Sequence, residues 1–159
     1  MDTRKPVSLL KASDRLGGSW PEEPQRFTIE HIDPFLIWCV QRGTSDVTIQ
    51  SDRPVYNDIY GRLYPATVRA LDGADIAIFL HKIYGPDALA RLASGTDLDL
   101  SYEIRPDRYT RVRFRVNITA IQSKGRDAAQ ITMRTLPSTP PQFKDLNIEE
   151  DIVNNWSPR

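Results

Sequence analysis

The sequence predicts an α+β domain, a mainly antiparallel sheet with helices on one face. Residues 97–136 alternate apolar and polar almost without a break, and residues 46–50 do so briefly. Segments with helical spacing interrupt the strands in the order helix, strands, two helices, three strands, which is the pattern of an α+β fold. Strict alternation sets one face of a sheet on a core and the other toward water or a partner, so the helices have to cover the apolar face.

Residues 1–28 lack periodicity and carry Gly17-Gly18 and two prolines around Glu22-Glu23, the pattern of a flexible N-terminal arm that docks through Trp20 and Phe27. The first helix is expected from Asp33 as its cap, through Pro34 and the apolar body Phe35–Val40, to Gly43 as its stop. Asp46–Gln50 reads as a short strand. Val55–Tyr60 and Leu63–Leu71 read as extended segments about a turn at Gly61, with Pro54 and Pro65 favouring edges. Asp75–Tyr84 puts Ile76, Phe79, Leu80 and Ile83 on one helical face, and a shorter helix over Pro86–Ser94 turns Leu89 and Leu92 inward. In the long meander the apolar face is Leu98 to Ile104, then Val112 to Ala120, then Ala129 to Met133, with turns at Arg105-Pro106-Asp107 and Ser123-Lys124-Gly125-Arg126. Thr139-Pro140-Pro141 closes the sheet, and Asn147 caps a last helix bearing Ile148, Ile152, Val153 and Trp156. The domain proper is therefore placed at residues 29–138, with a linker and short helix over 139–159.

Composition removes several classes of function. A chain of 159 residues, 40% hydrophobic and 26% charged, suits one globular domain. Lys plus Arg and Asp plus Glu number 21 each, so the chain as a whole is not a basic nucleic-acid binder, and no direct nucleic-acid contact is evident. No apolar run nears the ~20 residues of a membrane span, and there is no secretory h-region at the start, so a cytoplasmic location is expected. The single Cys39 excludes a disulfide framework and a multi-Cys zinc site. His31 and His81 lack a second ligand three or four residues on, so no metal site is expected. No Gly-x-Ser-x-Gly elbow occurs. None of the five lysines precedes Ser or Thr, so the phosphate-cradling Gly-x-x-x-x-Gly-Lys-Ser/Thr loop is missing as well. The chain by itself is expected to be no enzyme and to hold no cofactor.

The polar face of the meander is more informative. Ser101 to Arg134 holds eight Lys/Arg and three Asp/Glu. Keeping apolar residues opposite apolar ones fixes the parity of the strand register. The simplest first hairpin then pairs Glu103 with Arg111 and Asp99 with Arg115. A loop at 123–126 pairs Ile118 with Ile131 and Arg115 with Arg134, giving a row Asp99, Arg115, Arg134. Cross-strand salt bridging on a wet face, ~0.2–1 kcal/mol per pair, accounts for Arg111 and serves Arg113. It accounts poorly for Arg115 beside Arg134, because like charges directly opposite repel unless an anion sits between them.

Four motifs resemble the N-terminal domain of PilT-like secretion and retraction ATPases, in that family's order. They are Gly43-Thr44-Ser45-Asp46-Val47-Thr48-Ile49, Asp97-Leu98-Asp99-Leu100-Ser101-Tyr102-Glu103, Arg113-Phe114-Arg115-Val116-Asn117 and Met133-Arg134-Thr135-Leu136-Pro137. Leu146-Asn147-Ile148 is similar to the segment that leads into the family's nucleotide-binding domain. Tyr56–Tyr64 and the long second hairpin resemble the DotB and TraJ branch, which serves type IVB secretion and plasmid conjugation. The resemblance implies a PAS-like regulatory and assembly domain of a ring-shaped, usually hexameric, ATPase. It also implies its partners: the P-loop ATPase domain of the same and neighbouring subunits, and a secretion or conjugation machinery at the inner membrane, to which the protein is peripheral. ATP and Mg are implied for the full-length protein, not for this chain. Arg115 and Arg134 are implied to contact the nucleotide phosphates, with Arg113, Arg126 and Asp99 in support. In that family the P-loop domain follows the Leu-Asn-Ile segment. This sequence does not contain it, so the chain is expected to be a fragment or a truncated product. The alternatives are a stand-alone PAS-like α+β ligand-binding module and an adaptor that binds partners through the arginine face.

Overall fold

Six strands form one antiparallel sheet: β1 (Asp46–Gln50), β2 (Tyr56–Ile59), β3 (Arg62–Pro65), β4 (Leu98–Asp107), β5 (Thr110–Ser123) and β6 (Arg126–Leu136). Their spatial order is β3-β2-β1-β6-β5-β4. The helices are α1 (Ile29–Gln41), α2 (Gly73–Ile83) and α3 (Ala88–Ala93). This computed structural model describes residues 18–137. Residues 1–17 of the expected arm, and the expected linker and helix over 139–159, lie outside the described residues.

One core explains the architecture. Ile32, Phe35, Leu36 and Cys39 of α1 and Ile76, Phe79, Leu80 and Ile83 of α2 pack on Val47, Ile49, Phe114, Val116, Ile118, Ile131 and Met133 of the sheet, all of them buried. Each fully buried Val, Leu, Ile or Phe contributes about 1.5–3 kcal/mol, so this apolar face is what the helices are held by. Trp20 and Phe27 belong to the same core: their rings stack at 6.2 Å, and Phe27 meets Phe79 at 5.0 Å. Trp20 N–H donates to the Ala66 carbonyl at 2.8 Å. The packing thus includes residues ahead of the expected start at 29.

Local chemistry moved several boundaries. The first helix starts before Asp33, with extended Thr28 as its cap (φ −125°, ψ 172°). The Thr28 N–H donates to Nδ1 of His31 at 3.0 Å, so an imidazole does the work usually given to Glu or Gln at that position. Pro34 lies inside the helix, where it removes the N–H that would reach the Glu30 carbonyl. Asp33 instead accepts from the Tyr102 hydroxyl at 2.6 Å and pairs with Lys82 at 3.6 Å, tying α1 to β4 and α2. β3 ends at Pro65 on the sheet edge, and the chain to Leu71 is held by single bonds such as Leu71 N–H to the Arg53 carbonyl (3.0 Å). In α3, Ala88 and Leu92 form the buried stripe and Leu89, expected inward, is 55% exposed. The helix begins at Ala88, so the i, i+4 pair that faces the core is 88 and 92.

Candidate functional site

β5 presents Arg111, Arg113 and Arg115 on the face away from the helices, alternating with buried Val112, Phe114 and Val116. Its register with β6 is the expected one: Ile118 faces Ile131 and Arg115 faces Arg134. The connecting turn closes at Ser123 and Arg126 around Lys124 (φ 53°) and Gly125 (φ 75°). Two successive positive φ values match the right-handed twist of a hairpin. Ser123 Oγ donates to Asp52 at 2.5 Å and Lys124 Nζ lies 3.6 Å from the same carboxylate, which pins the hairpin end to the chain after β1. The Ser123 hydrogen bond is the main reason the Asp52 carboxyl is held below its usual range.

The register of β4 on β5 is shifted by two residues from the expected one. Asp99 faces Asn117, Ser101 faces Arg115 and Glu103 faces Arg113. The strand does not turn at Pro106. A register irregularity between Ile104 and Asp107 takes up the proline on this edge strand, and the chain turns at Arg108-Tyr109 instead. Asp107 holds that turn by accepting from Tyr109 N–H (2.7 Å) and Thr110 Oγ1 (3.2 Å).

The row across the exposed face therefore reads Ser101, Arg115, Arg134, Asp46, Asp58, and Asp99 is not in it. Arg134 Nε donates to Asp46 Oδ1 at 3.1 Å. Asp99 sits one row away and accepts from Asn117 Nδ2 at 2.9 Å. Arg115 is exposed and has no carboxylate within ion-pair distance among the described residues. Arg113 faces Glu103, but that carboxylate is bound by Arg105 Nε at 2.6 Å. The Arg105 hydrogen bond, more than the charges of Arg111 and Arg113, holds the Glu103 carboxyl below its usual range. Positive potential is thus centred on Arg115, with Arg113 two residues along the strand and Arg134 across from it. Arg126 lies eight residues farther along β6, about 26 Å at ~3.3 Å per residue, and takes no part. Sequence reasoning missed Asp46. Its only signal was its place at the start of β1 within the Gly43-to-Ile49 motif.

Among the described residues no group of three or more His, Cys, Asp or Glu side chains is placed to hold a metal ion. No helix among them is long and apolar enough to cross a membrane. Cys39 is fully buried, and burial pushes its thiol up to about 12 against weaker opposing effects of Asn57 and Arg42, so it is not a nucleophile.

No protein-family model matches the chain, and no curated protein sequence does. Solved structures do. The X-ray structure of the Legionella pneumophila ATPase DotB is 41% identical, with a TM-score of 0.76, over 87% of this chain and 38% of that one. The Yersinia pseudotuberculosis ATPase DotB is 24% identical, with a TM-score of 0.71, over 87% of this chain and 38% of that one. The pilus retraction motor PilT with bound ADP is 20% identical, with a TM-score of 0.52, over 82% of this chain and 35% of that one. These last two show the fold alone. The chain spans 38% of the length of the two DotB ATPases it matches. By sequence and fold, the chain is related to the Legionella pneumophila ATPase DotB, and its α+β domain is similar to the N-terminal domain of that protein.

Proposed function

We propose that the chain is the N-terminal regulatory and assembly domain of a hexameric type IV secretion or conjugation ATPase, in which Arg115 and Arg134 meet the nucleotide phosphates held by a P-loop domain. The observation that carries this reading is the direct opposition of Arg115 and Arg134 on an exposed face, where Arg134 has a carboxylate partner and Arg115 has none among the described residues. Facing cations are unfavourable alone and favourable around a phosphate. Guanidinium forks match phosphate oxygens in shape as well as charge, and they stabilise phosphoryl charge without covalent chemistry. Arg113 is the supporting cation, and Asp46 takes the place expected for Asp99. A guanidinium cannot ligate Mg, so the metal that accompanies ATP is assigned to the P-loop domain. The partners are that domain, in the same and the neighbouring subunit, and an inner-membrane secretion or conjugation machinery met from the cytoplasmic side.

The test uses the full-length ATPase. Arg115→Ala or Arg134→Ala is expected to lower kcat about 100-fold, the scale of removing one aimed donor from a transition state. Arg126→Ala, on the distant hairpin end, is expected to leave kcat within about twofold. Residues 1–159 alone are expected to release no phosphate above a blank. Equal losses for all three variants, or losses matched by a fall in Tm, would sink the reading.

A further inference from the structure

The inner face of the β5–β6 hairpin loses its burial toward the turn. Ile118 and Ile131 face each other, fully buried. The next inner-face pair is Ala120 and Ala129, and the one after it is Gln122 and Asp127. Ala120 is exposed although it continues the apolar alternation of β5. A cleft of about 480 Å³ opens at this point, between the hairpin, the start of α2 at Ile76, and α3 at Leu89, Leu92 and Ala93. Its cause is side-chain volume. Paired alanines below and Ala93 above leave the room that isoleucines fill one row earlier. Leu89, which is 55% exposed, lines it. The volume lies within the about 300–1,000 Å³ typical of small-ligand sites.

The polar part of the lining is small and of one sign. Ser51 Oγ is already bonded to the Ala129 carbonyl and N–H, at 3.4 Å each. Asp127 is the one formally charged residue of the lining. Its Oδ1 accepts from Gln122 Nε2 at 2.6 Å, and no cation lies within ion-pair distance of it among the described residues. Of the nearby cations, Lys124 is paired with Asp52, and Arg126 has the parity of the hairpin's other face.

We infer that this cleft binds a compact amphiphilic cation, with its apolar body against Ala120, Leu89 and Leu92 and an ammonium or guanidinium at Asp127. The site is on the face opposite the arginine row and is independent of the proposed nucleotide contact.

The probes are 4-phenylbutylamine and its neutral counterpart 4-phenylbutan-1-ol, titrated into residues 1–159 with methyl NMR on Ile76, Leu89 and Leu92. Saturable shifts of these methyls are expected, with the amine binding about two- to fivefold tighter, the scale of one solvent-exposed ion pair. Asp127→Asn is expected to erase the preference for the amine and keep the binding of the alcohol. Ala120→Trp, at an exposed position, fills the cleft without disturbing the core and is expected to abolish both. The inference is overturned by the absence of saturable shifts up to about 10 mM, a ceiling that allows for weak fragment binding. It is equally overturned by equal affinity for amine and alcohol, or by binding that survives Ala120→Trp.

Discussion

Replacing Asp75 with alanine removes the carboxylate on which the N-terminal segment, the chain before α2 and α2 itself converge. Asp75 is 1% exposed, and its oxygens accept from Phe27 N–H (3.0 Å), Asp72 N–H (3.1 Å), Arg69 Nη1 (2.6 Å) and Arg69 Nη2 (3.3 Å). Breaking a buried pair by removing one partner costs about 3–5 kcal/mol, since the other charge is left uncompensated. The Arg69 side chain keeps 30% exposure and a long bond to the Pro24 carbonyl, which places the cost in the lower part, about 3–4 kcal/mol. At roughly 3–5 °C per kcal/mol for a domain of this size, Tm by calorimetry is expected to fall about 10–20 °C. The acid limb supplies a second readout. Burial alone raises the Asp75 pKa, but the Arg69 hydrogen bonds, the Phe27 and Asp72 N–H groups and the Arg69 charge outweigh it, so the native value lies below the ordinary 3.8. A carboxylate depressed in the native state stabilises fully above its unfolded pKa, and that stability is lost as pH falls through the native one. Arg69→Met removes the largest opposing effect, and with it part of the stability that Asp75 supplies above its unfolded pKa, so the acid-unfolding midpoint is expected to move to higher pH. A Tm loss under about 3 °C in Asp75→Ala, less than one kcal/mol on that scale, would refute the reasoning. So would an unmoved acid midpoint in Arg69→Met.

Cys39, buried and with its thiol pushed up to about 12, is expected to react with Ellman's reagent at pH 8 only as fast as the domain opens globally. Prompt stoichiometric labelling of the folded chain would contradict that burial. Tyr102→Phe is expected to cost about 1 kcal/mol, seen as a small fall in Tm, because it deletes the half-buried hydroxyl bond to Asp33. Burial first, and then the Asp33 bond and charge, push the Tyr102 phenol above its ordinary 10, so its share of stability is present below that pH and is lost as pH rises beyond it. Ultraviolet titration of the wild type is expected to show a tyrosine that ionises only with alkaline unfolding, and that step should be missing in Tyr102→Phe.

What the sequence determined by itself is what adjacent residues encode. Alternation placed β1 on its observed residues, set the inner face of all three meander strands, and gave the β5–β6 register that puts Arg115 against Arg134. Helical spacing selected the buried stripe of α2 in the same way. For the first hairpin, alternation could fix only parity, because a slip of two residues keeps every side chain on its face. The choice between the two registers depended on whether Pro106 ends the strand, and the irregularity at Ile104–Asp107 decided it. Leu89 was misplaced because α3 is too short for its spacing to reveal which stripe meets the core. The pairing of β1 with β6 carries no local signal at all. It brings Asp46 to Arg134 across 88 residues. Periodicity reports which face a residue takes; which charges end up as neighbours is settled only when strands distant in sequence are laid side by side.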